Sequence, residues 1–165
     1  MTDQSAEKPT YEELETNAAT QAHINLVRIF LRRAAVELLQ RGEVHDLSKF
    51  SPEEVKAFTE FTPKLGASTY GSDEYRGFLA EMKPALEHHY ASNRHHPEHF
   101  GERGINGMTL LDLLETFFDW LASTQRHADG DIRRSIEINA KRFNMSDQLV
   151  EIFRNTADAF DPKGQ

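Results

Sequence analysis

The stretch from Thr109 to Arg126 constrains the fold most, because it is a helix that is apolar on most of its sides. Thr109, with Asp112 three residues later, is typical of a helix start. A helix that is apolar nearly all round has to be buried. The sequence therefore predicts that this helix lies inside the protein; its apolar residues are Leu110, Leu111, Leu113, Leu114, Phe117, Phe118, Trp120 and Leu121.

One polar stripe crosses this apolar helix. Its members are spaced by 3, 4, 4 and 3 residues; they are Asp112, Glu115, Asp119, Ser123 and Arg126. A buried carboxylate without a partner costs several kcal/mol, so such a stripe needs cations, a metal or water. The alternative is an exposed face on which Glu115 or Asp119 pairs with lysines elsewhere. Arg126, two turns after Asp119, is a candidate to bind substrate or to close an ion pair.

The remaining chain also has helical periodicity, and no strand-like stretch or internal repeat appears. Thr10 and Glu13 form a capping-box pattern, Gly42 is a good stop, and Ser51-Pro52-Glu53-Glu54 is a second helix start with a purely structural meaning. Residues 62–72 and 101–107 are expected to be loops, the first long enough to border a site. We predict an all-α fold: one compact helical domain over residues 10–165, after a disordered segment 1–9.

His45 and Asp46 stand side by side, which places an imidazole nitrogen and a carboxylate oxygen within reach of one divalent ion. The segment from Val44 to Phe50 is expected to be a short helix, with Lys49 one turn after His45. Lys49 is a candidate to hold a substrate phosphate or to steady a carboxylate beside a metal. A solvated surface lysine is the alternative.

Five of the eight histidines fall within the 13 residues from Glu87 to His99. Pro97 disfavours a helix at His96, so the cluster is expected to be a helix end that runs into a loop. The residues alone leave the ligands open between the two histidines of each adjacent pair, His88 or His89 and His95 or His96, and also allow an exposed histidine-rich turn. Arg94 is a candidate phosphate clamp, with a surface role equally possible.

Taken in order, these residues resemble the HD-domain metal-dependent phosphohydrolase superfamily, whose ligands come as His, then His-Asp, then a distant Asp. The stretches His45–Glu54 and Asn93–His99 are also similar to a family of small HD-like proteins of phages and bacteria. The likeness covers roughly residues 20 to 160. It gives a role to His23, which alone would be taken as a core histidine bonded to a backbone carbonyl.

The resemblance implies an HD-like bundle with one or two divalent transition-metal ions between its helices, whether Fe, Mn, Zn, Co or Ni. One ion would be held by the four residues of the superfamily order, namely His23, His45, Asp46 and Asp119. A second ion would be shared through Asp46 with His89 and either His95 or His96.

The composition narrows the function classes. A formal net charge of −8 disfavours binding to a long nucleic acid, and the absence of cysteine excludes thiolate ligands and disulfides. No apolar run has membrane-spanning length, and no secretory signal begins the chain, so a cytoplasmic protein is expected. Exposed Phe and Leu residues on a helical fold of this kind make a homodimer possible.

The expected activity is metal-dependent hydrolysis of a small phosphorylated substrate, such as a nucleotide, by a metal-activated water. Lys49, Arg94 or Arg126 would neutralise the phosphate. Two alternatives stay open: a di-iron oxygenase of a small polyol or phosphonate, which the resemblance also allows, and a non-catalytic module that binds a nucleotide or a metal. His99 has no assigned role.

Overall fold

The computed structural model describes residues 8–69, 71–126 and 130–161. Within these ranges the chain is helical and contains no strand, so the prediction of an all-α fold is confirmed. Most of the expected disordered segment 1–9, namely residues 1–7, lies outside the described residues. The sequence also predicts a turn at residues 127–131, of which residues 127–129 lie outside the described residues.

Seven α-helices and two 3-10 segments follow one another in the described ranges. The α-helices are α1 Tyr11–Val44, α2 Val55–Ala67, α3 Asp73–Glu81, α4 Lys83–Ser92, α5 Leu110–Gln125, α6 Ile132–Arg142 and α7 Asp147–Phe160. The 3-10 segments are Leu47–Phe50, between α1 and α2, and Pro97–Gly107, between α4 and α5.

Residue contacts divide the chain into two units, residues 1–40 and residues 41–165. The described part of the first unit is formed mainly by α1. Its predicted capping box is present: the Thr10 backbone N–H donates to Glu13 at 2.7 Å, and the Glu13 backbone N–H donates to the Thr10 hydroxyl at 3.2 Å. Most of its large apolar side chains, Leu26, Phe30 and Leu31 among them, are exposed.

The core of the second unit lies between α5, α6 and α7. Phe117 of α5 meets Phe153 of α7 edge to face at 5.7 Å, and Ile132 and Ile136 of α6 are fully buried beside them. Aromatic pairs in this geometry add to the stabilisation that burial provides. The burial predicted for the apolar residues of α5 is found at Phe117 and Leu121 but not at Leu110, which is 83% exposed. Thr109 and Asp112 form a complete capping box at its start.

A backbone reversal at the end of α1 positions the His-Asp pair. Asp46 has φ 60° and ψ 10°, in the left-handed region that disfavours most side chains but that aspartate tolerates. The chain turns there into the 3-10 segment Leu47–Phe50. Further along, α3 ends at Glu81 and α4 begins at Lys83, so Pro84 starts a new helix, as the sequence allowed.

Two predicted loops are helical instead. The loop predicted at 62–72 is wrong for its first half, because α2 continues to Ala67 with Pro63 inside it. Packing maintains this helix: Phe61 is buried against Phe78 of α3, with ring centroids 6.1 Å apart. Residues 101–107 belong to a 3-10 segment that is kinked where Gly101 and Gly104 adopt positive φ.

No helix of the described ranges combines the length and the apolar content that a membrane crossing requires.

Candidate metal centre

Four donor groups converge where the end of α4 meets the turn after α1. They are the Oδ1 atom of Asp46 and the Nε2 atoms of His89, His95 and His96, and we call this set the histidine-rich position. One ligand atom from each of the four residues can be chosen so that all lie within 4.8 Å of one another. Asp46 follows α1, His89 is in the last turn of α4, and the other two come just after it. This cluster could hold a metal ion.

The spacing of these donors suits a small ion. Oδ1 of Asp46 lies 3.2 Å from Nε2 of His89 and 3.4 Å from Nε2 of His95. Nε2 of His89 lies 3.0 Å from Nε2 of His96. Donors bonded to one ion at about 2.1 Å are separated by about 3.0 Å in an octahedron and about 3.4 Å in a tetrahedron. The observed separations span that interval.

Two atoms of the histidine-rich position are buried and lack a hydrogen-bond partner. They are Oδ1 of Asp46 and Nε2 of His95, and they face each other across 3.4 Å. The His95 side chain is only 2% exposed. Burying a polar atom without a partner is costly, so such atoms indicate a missing ligand. A cation bound between these two atoms would satisfy both of them. Their position is therefore the evidence that the residues of this cluster fit a metal.

A second group uses the other oxygen of Asp46. Nε2 of His45 lies 3.6 Å from Oδ2 of Asp46 and 3.7 Å from Oδ1 of Asp119. We call His45, Asp46 and Asp119 the acidic position, and their side chains are 20 to 28% exposed. This cluster could also hold a metal ion. The Asp46 carboxylate is therefore common to both positions.

Glu54 supports the histidine-rich position from behind. Its fully buried carboxylate lies 2.9 Å from Nδ1 of His89 and 2.6 Å from Nδ1 of His88, and accepts a hydrogen bond from Ser48 at 3.1 Å. A histidine whose Nδ1–H donates to a carboxylate presents the lone pair of Nε2 to a metal. In the sequence, Glu54 indicated only a helix start, and nothing near it along the chain pointed to this role.

Glu115 likewise orients two histidine rings through their Nδ1 atoms. Its Oε1 lies 3.0 Å from Nδ1 of His45 and 3.1 Å from Nδ1 of His95. These three residues also form a group with metal-like spacing, but their contacts run through the Nδ1 atoms. The arrangement is better explained as hydrogen bonding that orients both rings. Arg41 closes the network by donating to Glu115 at 3.3 Å and to Asp112 at 2.7 Å.

The charges of the centre reflect these contacts. Burial tends to raise the pKa of Asp46, but His89, His95 and Lys49 beside it hold that pKa well below its usual range. The carboxylates of Asp119 and Glu115 raise the pKa of His45 to about 10. The centre without a cation therefore keeps its aspartates ionised and a proton on His45, and a cation would take the place of that proton.

His96 has the opposite shift. Its burial, followed by the charges of His95 and His89, lowers its pKa to about 3. The ring is therefore neutral at physiological pH, and a neutral imidazole is the form that binds a metal.

The sequence left the choice of histidines open, and the structure brings three of them together. His89, His95 and His96 all enter the histidine-rich position, so both members of the second pair contribute. The Nδ1 atom of His88 contacts Glu54 instead, and its side chain is 40% exposed. His99, which had no assigned role, has its Nδ1 atom 3.0 Å from the carbonyl oxygen of Tyr90.

The basic candidates lie in different surroundings. Lys49 donates to Oδ2 of Asp46 at 2.5 Å, the contact expected of a lysine that steadies a carboxylate. Arg94 donates to both oxygens of the buried Asp112 at 3.3 and 3.2 Å. Arg126 is exposed just after the end of α5. Their roles toward a substrate stay predictions.

His23 belongs to the first unit, where its side chain is exposed on α1. Its role as a ligand stays a prediction.

Comparison with known families matches residues 12–159 to a "Family of unknown function (DUF5662)", and the chain belongs to that family. Neither the curated proteins nor the solved structures gave a match.

Proposed function

We propose that this member of the DUF5662 family is a metal-dependent phosphohydrolase that acts on a nucleotide or another small phosphorylated metabolite. The observation that carries the proposal is the pair of buried atoms that make no hydrogen bond, Oδ1 of Asp46 and Nε2 of His95, which lie 3.4 Å apart. They lie in a centre where a carboxylate is shared between two clusters of possible ligands. Mixed imidazole and carboxylate donors are typical of catalytic metal sites.

A metal bound at this centre would lower the pKa of a bound water towards about 7 and polarise a phosphoryl oxygen. The chain's own residues prepare the site for that chemistry. Glu54 and Glu115 fix the orientations of the rings through Nδ1, and the Asp46 carboxylate is directed at both clusters. The partial exposure of His45 and Asp119 leaves the acidic position open to a small substrate.

Lys49 is the best placed of the predicted basic residues to meet a phosphate. Its side chain is one-third exposed and its Nζ atom is already beside the shared carboxylate. An ammonium on a flexible stem can move from Asp46 to a phosphate oxygen with little rearrangement. Arg94, half exposed beside Asp112, and Arg126 are the other candidates.

A second candidate function, a di-iron oxygenase of a small polyol or phosphonate, is favoured by one observation. Lys49 and Arg94, two of the cations expected to neutralise phosphate, are each engaged by an aspartate. A centre with four imidazoles around it also suits iron. An uncharged polyol would need no cation.

One experiment separates the two functions. The protein is stripped of metal, loaded in turn with Mn²⁺, Zn²⁺, Co²⁺ and, without oxygen, Fe²⁺, and then incubated with a panel of nucleotides and sugar phosphates. Phosphate release that needs the metal and disappears in Asp46→Ala supports the phosphohydrolase. Oxygen uptake by the iron form alone, with a panel of polyols and phosphonates, supports the oxygenase. If no metal form carries out either reaction, both functions are contradicted.

A further inference from the structure

The two clusters that share Asp46 differ in chemistry, and the difference predicts how they fill. We propose that the histidine-rich position binds a borderline transition-metal ion tightly and first, whereas the acidic position holds a second, weaker and exchangeable ion. This inference rests on the metal dependence in the proposed function. The sequence resemblance assigns His45, Asp46 and Asp119 to one ion and the histidine cluster to a second, and by itself gives no order of filling.

The donor sets differ in type and number. The histidine-rich position offers three imidazoles and one carboxylate oxygen, a complete tetrahedral set for Zn²⁺ or Co²⁺. The acidic position offers one imidazole and two carboxylate oxygens among the described residues of the second unit. Imidazole favours borderline transition metals, and carboxylate suits harder ions such as Mn²⁺. Within the second unit, the acidic position therefore has two imidazole donors fewer than the histidine-rich position.

The two positions also differ in how far their donors are already in place. Three of the donor separations at the histidine-rich position are 3.0 to 3.4 Å, and two of its imidazoles are 2% exposed. At the acidic position the separations are 3.6 and 3.7 Å, and its three side chains are 20 to 28% exposed. Donors that are held close together and out of water lose little freedom when an ion binds.

Lys49 gives the third reason to expect weaker binding of an ion at the acidic position. Its ammonium lies 2.5 Å from Oδ2 of Asp46, the oxygen that the acidic position needs, whereas the histidine-rich position uses Oδ1. An ion at the acidic position must therefore compete with Lys49 for the same oxygen. The histidine-rich position has no such competitor at Oδ1, whose described neighbours are His89 and His95.

Metal titration of the stripped full-length protein tests the order of filling. Zn²⁺ binding is followed by calorimetry, and Co²⁺ binding by its visible absorption, which is intense when cobalt is four-coordinate. For the unmodified protein we expect a tight first equivalent with the four-coordinate spectrum and a weaker second equivalent. Asp119→Asn should lose only the weak equivalent, and His96→Ala should lose the tight one with its spectrum.

Lys49→Met supplies an independent measurement that does not depend on removing a ligand. Loss of the competing ammonium should tighten the second equivalent about tenfold, which corresponds to about 1.4 kcal/mol, and should leave the spectrum of the first unchanged. Lys64→Met is the matched control, because Lys64 pairs with the exposed Glu60 on α2.

The outcomes separate this inference from the proposed function. Loss of the tight equivalent in Asp119→Asn, its retention in His96→Ala, or no effect of Lys49→Met on the second equivalent would overturn the order of filling. Binding in the expected order without any phosphate release would leave the order standing and count against the phosphohydrolase. A protein that binds no ion would overturn both.

Discussion

Glu54 offers a stringent test of the metal centre, because it acts on the ion only through His89. Replacing Glu54 by glutamine keeps the size of the side chain but removes its charge. The carboxylate is fully buried and 2.9 Å from Nδ1 of His89, so no water is available to take its place. Loss of a carboxylate behind a metal-binding histidine commonly weakens metal binding 10- to 100-fold, or about 1.4 to 2.7 kcal/mol.

The neighbouring residue provides the matched control. Glu53 carries the same charge one position earlier and is exposed. The affinity of Glu54→Gln and Glu53→Gln for Zn²⁺ is measured by competition with a coloured chelator, and thermal melting followed by circular dichroism shows whether each variant is folded. We expect a loss of at least tenfold in Glu54→Gln alone. Unchanged affinity in folded Glu54→Gln, or an equal loss in Glu53→Gln, would refute the support assigned to Glu54.

Three further predictions follow from the same centre. Asp46→Ala should abolish metal binding and activity together, since both positions use its carboxylate. Metal analysis and an assay of phosphate release check this, and an active, metal-loaded variant would show that the centre is misassigned. The His99→Ala variant should keep its metal. It should lose only about 1 kcal/mol of stability in denaturant unfolding, because the His99 ring contacts the carbonyl of Tyr90. Loss of the metal would contradict this. The affinity for the second, weaker equivalent of Zn²⁺, at the acidic position, should rise between pH 6 and pH 8 with release of protons, because the pKa of His45 is raised to about 10 and its proton must leave. Calorimetry in two buffers checks this, and a pH-independent affinity for that equivalent would contradict it.

The same raised pKa affects the metal-free fold. A histidine with a pKa of 6.5 in the unfolded chain and about 10 in the folded one stabilises the fold fully below pH 6.5. That stabilisation is lost as the pH rises through 10.

The sequence predicted the helices well where local signals decide them. Thr10 with Glu13 and Thr109 with Asp112 form capping boxes where the sequence indicated helix starts. The prediction failed at residues 62–67, where the proline and glycine suggested a loop. Burial of Phe61 against Phe78 extends the helix past Pro63, and that contact joins residues 17 positions apart. The contact between Phe61 and Phe78 cannot be predicted from the local helix propensity of the residues around Pro63.

The candidate site shows the same limit. The order of His45, Asp46, the histidine cluster and Asp119 indicated a metal centre, because ligand types can be read from the residues. The carboxylates behind the ligands could not be read in this way. Glu54 reaches His89 across 35 positions, and Glu115 reaches His45 across 70. Such partners are found only when the fold brings the helices together.

Arg94 makes a tertiary contact that its place in the sequence does not reveal, and its role as a phosphate clamp stays a prediction. In the sequence it stood inside the histidine cluster and was a candidate phosphate clamp. In the structure its guanidinium contacts Asp112, the buried capping residue of α5. That contact links the loop of the histidine cluster to the central helix.

The most direct test of the account is the metal content per chain, measured by plasma mass spectrometry on protein purified without a nickel column. We predict at least one equivalent of a transition metal, and two when the protein is supplied with excess ion. A chain that carries no metal as purified and takes up none after refolding with Fe²⁺, Mn²⁺, Zn²⁺ or Co²⁺ would contradict it. The unpartnered atoms of Asp46 and His95 would then need another explanation.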